Sequence, residues 1–105
     1  MKSINSLFDL NRKGPPLVCV EMSGNHQGNL DDALNFLYLA HKKGADLLKL
    51  QVYTPDTITL NSDLPDFQVK TGNEWSEYKT LYDLYTKAYT PWDWIERIFS
   101  KYRRM

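Results

Sequence analysis

Residues 17–51 read LVCVEMSGNHQGNLDDALNFLYLAHKKGADLLKLQ. A short apolar run, a polar glycine-bearing turn, an amphipathic stretch and a second short apolar run follow one another, the order of a βαβ unit. The first strand is predicted over Leu17 to Met22 and the second over Asp46 to Val52. Alternation puts Leu17, Cys19 and Glu21 on one face and Val18, Val20 and Met22 on the other. In the second strand Leu47, Lys49 and Gln51 oppose Leu48, Leu50 and Val52. Both strands are apolar on both faces until their carboxyl ends, the signature of a parallel sheet covered by helices. Glu21, Lys49 and Gln51 fall at those ends, where parallel α/β folds carry their chemistry.

Between the strands, Asn29 is a suitable helix N-cap, with Asp31 and Asp32 at the positive end of the helix dipole. Leu30, Ala33, Leu34, Leu37 and His41 recur at helical spacing, and Gly44 is placed to end the helix. Upstream, residues 1–15 are a mixed polar lead-in, and Pro15-Pro16 holds the entry to the first strand extended. Downstream, residues 53–77 form a long connection in which Thr57–Leu60 or Phe67–Val69 is expected to pair briefly as strand; Gly72-Asn73 is a turn signal. Helical spacing returns over Tyr78 to Tyr89. Thr90-Pro91 marks a restart with Thr90 as N-cap, followed by an apolar stripe of Trp92, Ile95 and Phe99.

The chain has 105 residues, with 13 basic and 13 acidic side chains and one cysteine, Cys19. The balanced charge gives no global field toward nucleic acid or an anionic membrane. The aromatic and basic tail reads as helical packing, with Asp83, Asp93 and Glu96 interrupting its charge. A single cysteine excludes an internal disulfide and fits a reducing compartment. No apolar run approaches the roughly 20 residues of a membrane helix, and the amino terminus lacks a signal-peptide core. These features lead to the expectation of a soluble cytoplasmic protein.

Glu21, Lys49 and Gln51 are the strongest chemical candidates. A lysine inside a sheet needs a partner, and Glu21 is the nearest available. Such a pair can hold an anionic substrate or lower a proton-transfer barrier; it reads equally well as a structural ion pair. Asn25 and His26 lie in the loop above the first strand, where a lone histidine is more often a loop hydrogen-bonder than a catalyst. Glu21 with His26 is too small a set for a metal, so no metal ligands are assigned. Neither a catalytic triad nor a phosphate loop is present.

VEMSGNHQGNLDDAL, followed by KKGADLLKLQVYTPDTITL, resembles the opening of the sialic acid synthase family. In that family the first strand carries approximately E-[IM]-[GS]-x-N-H-x-G and the second ends in K-x-Q-T or a close variant. LYDLYTKAYTPWDW resembles the pseudaminic acid branch more than the N-acetylneuraminate branch, and the match runs from about Pro16 to Phe99. The resemblance implies a (β/α)8 TIM barrel, of which residues 16–105 would be the first two βα units, an incomplete portion of a barrel that takes about 250 residues. It implies condensation of phosphoenolpyruvate with an N-acetylated amino sugar in aldehyde form to a nine-carbon 2-keto acid, with release of phosphate. A divalent metal, manganese or magnesium, is implied as cofactor, with ligands on later strands. Glu21 and Lys49 map onto catalytic positions, and Gln51, Asn25 and His26 onto substrate-binding ones. Asn73 falls where a loop asparagine touches the sugar. Full-length members are expected to be homodimers. Alone, a chain with two open sheet edges is expected to be inactive and loosely folded. A non-catalytic sugar-binding or regulatory module that keeps half a site is the alternative.

Overall fold

The computed structural model describes residues 4–105. Its centre is the βαβ unit: β1 (Cys19–Glu21), α2 (Leu30–Lys42) and β2 (Leu47–Lys49), preceded by a single helical turn, α1 (Ile4–Leu7). The strands pair in parallel, with Cys19 opposite Leu47, Val20 opposite Leu48 and Glu21 opposite Lys49. Both are shorter than the apolar runs that predict them. The ladder nevertheless continues past β1, where the Met22 amide donates to the Lys49 carbonyl at 3.0 Å. The fold is α/β.

α2 starts where its cap residue dictates. The Asn29 side-chain oxygen accepts from the amides of Asp31 (2.8 Å) and Asp32 (3.2 Å), satisfying donors that have no partner within the helix. Replacing Asn29 by alanine should therefore cost about 1 kcal/mol of stability, read from a urea titration of helical ellipticity. Gly44 ends the helix with φ +84°. Ala33, Leu37 and Ala40 form its buried face, whereas His41, expected on that face, is exposed. His41 follows the buried Ala40 by one residue, about 100° further round the helix, which turns it out of the face that meets α5.

The long connection is not strand over Thr57–Leu60. Thr54-Pro55 opens a helical turn instead, α3 (Pro55–Ile58), because proline preorganises a first turn and lacks the amide a ladder needs. Gln68 forms an isolated antiparallel bridge with Thr80, so the second expected strand is reduced to one pairing. Thr80 caps α4 (Leu81–Ala88) by accepting from the Asp83 amide at 3.2 Å. After α4, a 3-10 turn over Trp92–Trp94, preceded by Pro91 as cap, leads into α5 (Ile95–Arg104). Thr90 is thus not the cap. Of the expected stripe, Trp92 and Phe99 are exposed and Ile95 is half-buried, and the residue that enters the core is Ile98.

The core is small: Met22, Ala33, Leu37, Ala40, Ala88 and Ile98 are the buried apolar residues among those described. The radius of gyration is 16.6 Å, against about 13 Å for a compact chain of this length. The accessible surface is 7892 Å², against roughly 6100 Å² for a compact monomer of this mass. A chain that buries so little apolar surface has a narrow margin of stability. Among the described residues no helix is long and apolar enough to cross a membrane.

Candidate functional site

Glu21 and Lys49 are the last residues of their strands and lie opposite each other in the ladder, so both side chains leave the sheet on the same face. Lys49 Nζ sits 2.9 Å from Glu21 Oε2, and the other carboxylate oxygen, Oε1, accepts from the Ser23 amide at 3.1 Å. The Lys49 side chain is 65% exposed and that of Glu21 32%. The burial cost expected for a lysine inside a sheet does not arise here, because this face of the sheet is open. The Lys49 ammonium, the Ser23 amide and the Gln51 side chain hold the Glu21 carboxyl below its ordinary value, and Glu21 in turn raises Lys49. The pair is therefore fully charged across the neutral range. Its hold on the fold weakens only as the pH falls through the lowered Glu21 value or rises through the raised Lys49 value. An ion pair this open to solvent contributes little to stability.

The loop above β1 is a run of overlapping turns. The Asn25 amide donates to the Met22 carbonyl (3.2 Å), Gln27 to Gly24 (2.9 Å) and Asn29 to His26 (2.9 Å). Ser23 (φ +51°), Gln27 (φ +48°) and Gly28 (φ +76°) take left-handed backbone angles. Asn25 is exposed, and its side-chain nitrogen donates to the Met22 carbonyl at 2.9 Å.

His26 points inward. It is 1% exposed, its ring stands edge to face with Trp94 at 5.1 Å, and its Nδ1 accepts from the Gly28 amide at 2.9 Å. This fixes the neutral tautomer with the proton on Nε2, an atom with no hydrogen-bond partner in the structure. Burial lowers the pKa of His26 from its ordinary 6.5. A histidine with a depressed folded-state value stabilises the fold above its unfolded pKa and loses that contribution as the pH falls. Between pH 6.5 and the lowered value, stability should drop by up to about 1.4 kcal/mol per pH unit. His26→Gln should flatten that slope in urea titrations run across the range.

Two later segments fasten the strand ends. The Thr90 amide donates to the Gln51 carbonyl at 2.9 Å. A Cβ placed on Gly24 would lie 2.8 Å from Ala88 Cβ and 3.2 Å from the Trp75 ring. Neither contact is announced by local sequence; only the buried small residues Gly24 and Ala88 hint at close approach. Asn73 is exposed and organises its own turn, its oxygen accepting from the Trp75 amide at 2.8 Å and its nitrogen donating to the Lys70 carbonyl at 2.8 Å. Asn73 is thus connected to the β1 loop through Trp75, whose ring lies against Gly24. The geometry joins Glu21, Lys49 and Gln51 into one cluster and leaves Asn25, His26 and Asn73 outside it, the first two in the β1 loop and Asn73 in a turn of its own.

Among the described residues no three His, Cys, Asp or Glu side chains gather to hold a metal. A hollow of about 380 Å³, lined by His41, Asp46, Tyr102 and Arg103 among others, lies at the amino-terminal end of the strands. It is at the opposite end of the sheet from the Glu21–Lys49 pair.

Comparison with known proteins agrees with the motifs. The chain is 49% identical over 83 residues to the pseudaminic acid synthase of Campylobacter jejuni serotype O:2, covering 79% of this chain and 24% of that protein. It is 40% identical over 91 residues to the pseudaminic acid synthase of Helicobacter pylori, covering 87% of this chain and 26% of that protein. The chain thus spans about a quarter of the length of the curated relatives it matches. The model of the NeuB family matches residues 36–105, two thirds of the chain, which takes in β2 with Lys49 and Gln51. The chain belongs to the NeuB family.

Proposed function

We propose that this chain supplies two adjacent strand ends of a pseudaminic-acid-type synthase site in a (β/α)8 barrel. The observation that carries the reading is the 2.9 Å pair of Lys49 and Glu21 on the open face of β1 and β2. In this reading the complete enzyme joins the methylene carbon of phosphoenolpyruvate to the aldehyde carbon of an N-acetylated amino sugar. Water replaces phosphate at the former enol carbon, giving a nine-carbon 2-keto acid.

Lys49 is a fixed positive charge suited to the carboxylate or phosphate of phosphoenolpyruvate, whose charge redistributes as phosphate leaves. Glu21 stays ionised and accepts a hydrogen bond from a sugar hydroxyl, and Gln51 adds a neutral amide beside it. Asn25 and Asn73 hold the flanking loops, and His26 keeps the β1 loop closed from within. A divalent metal belongs to this proposal as an electrophile for the aldehyde. The described residues do not form its donor set, so no step is assigned to it.

The test is a chimera in which this chain replaces the matching segment of the Campylobacter jejuni relative. Release of phosphate that depends on both phosphoenolpyruvate and the amino sugar is expected. A folded chimera that binds neither substrate would overturn the reading. The chain by itself, given both substrates and manganese, should release no phosphate.

A further inference from the structure

We propose that Ser23 is a positioning residue of the site, whose main-chain amide clamps Glu21 so that its second oxygen meets Lys49. The inference deepens the function proposed above and rests on it for its catalytic consequence only. Met22 to Asn25 form a β-turn closed by the Asn25 amide on the Met22 carbonyl, with Ser23 at the first central position. There φ is +51°, an angle that turns of this kind reserve for glycine and that a serine adopts only under strain.

The strain has a visible counterpart. Two constraints fix the peptide plane between Met22 and Ser23. Its amide faces back to Glu21 Oε1 at 3.1 Å, and its carbonyl accepts both the Asn25 amide and the Asn25 side chain. From that plane the chain must reach Gly24, which is buried so close to Ala88 and Trp75 that a Cβ there would stand 2.8 Å from Ala88 Cβ. A right-handed Ser23 would send the chain elsewhere, so keeping both the packing and the plane requires the left-handed angle. A bond from an amide to a carboxylate is charge-assisted and roughly twice as strong as a neutral one, which offsets the strained turn.

The arrangement has a chemical result. A carboxylate offers about four acceptor positions. The Ser23 amide occupies one on Oε1 and Lys49 one on Oε2, while Gln51 adds a further donor. What remains is an oriented, deprotonated acceptor matched to a neutral donor such as a sugar hydroxyl. Glu21 is in this view a fixed acceptor and not a proton carrier.

The experiment is a nuclear magnetic resonance titration of the chain with labelled carboxyl and amide groups. The Ser23 amide proton should shift with the same midpoint as the Glu21 carboxyl, and this shift should vanish in Glu21→Gln. The Glu21 midpoint should be unchanged in Ser23→Gly, which keeps both amide and angle, and should rise in Ser23→Val, which disfavours the angle. A Ser23 amide that ignores the Glu21 titration would overturn the proposal. So would an equal rise in Ser23→Gly, since that would assign the effect to the hydroxyl. If Ser23→Val fails to fold, the amide titration of the unsubstituted chain still decides. In the active chimera, Ser23→Val should lower kcat while Ser23→Gly retains it, and equal losses in both variants would contradict the proposal. Because the titration uses no substrate, an inactive chimera would count against the proposed reaction and not against the clamp.

Discussion

Adding a single methyl group at Gly24 is expected to destabilise this chain by about 2 kcal/mol, and a valine there by more. The ideal Cβ would stand 2.8 Å from Ala88 Cβ, 3.0 Å from Ala88 Cα and 3.2 Å from the Trp75 ring. The first two atoms belong to the end of α4 and cannot swing away as a flexible side chain would. With six buried apolar residues described in the whole core, a loss of that size should remove cooperative unfolding in a urea titration followed by ellipticity. Ala88→Gly removes one of the clashing atoms. The double variant Gly24→Ala/Ala88→Gly should therefore be more stable than the sum of the two single changes, a coupling expected only of residues in contact. Additive effects would mean that the β1 loop and α4 do not meet as described.

The second large effect is on chemistry. In the chimera, Lys49→Met should reduce kcat on the order of 10²–10³-fold, the usual loss when one preorganised charge is withdrawn from a developing anion. Its fold should survive, because the ammonium is largely exposed and its ion pair contributes little to stability. Steady-state rates of phosphate release, read beside an unchanged unfolding midpoint, check both halves of the statement. A lysine needed only for the fold would give the opposite pattern, a lowered midpoint with the rate per folded molecule preserved.

The residues that proved legible in the sequence are those whose message is local. Asn29, Asp31 and Asp32 announce the start of α2 and Gly44 announces its end; alternation allows Glu21 and Lys49 a common face, and the register of β1 with β2 then puts them there. What stayed hidden depends on neighbours far along the chain. Nothing beside Ser23 or His26 reveals that one is strained and the other buried, since both follow from where α4 and Trp94 come to rest. The misplaced stripe of Trp92 and Phe99 has a different cause. Spacing counted from Trp92 treats the segment as one continuous α-helix, but Trp92–Trp94 form a 3-10 turn with 3.0 residues per turn in place of 3.6. Ile98 thereby comes to face the core. Proline overrode β-branched composition at Thr57 and Ile58, where the chain turns helical after Thr54-Pro55.

An acid and a base from consecutive parallel strands act as one group on the open face of the sheet. Carbon-detected titration of the Glu21 carboxyl, in the unsubstituted chain and in Lys49→Met, tests it most directly. The pair predicts a midpoint below the ordinary 4.5 in the unsubstituted chain and a clear rise in Lys49→Met, because the largest influence lowering it is the hydrogen bond from Lys49. Identical midpoints in the two proteins would mean that the side chains do not meet, and the site described here would fall with them.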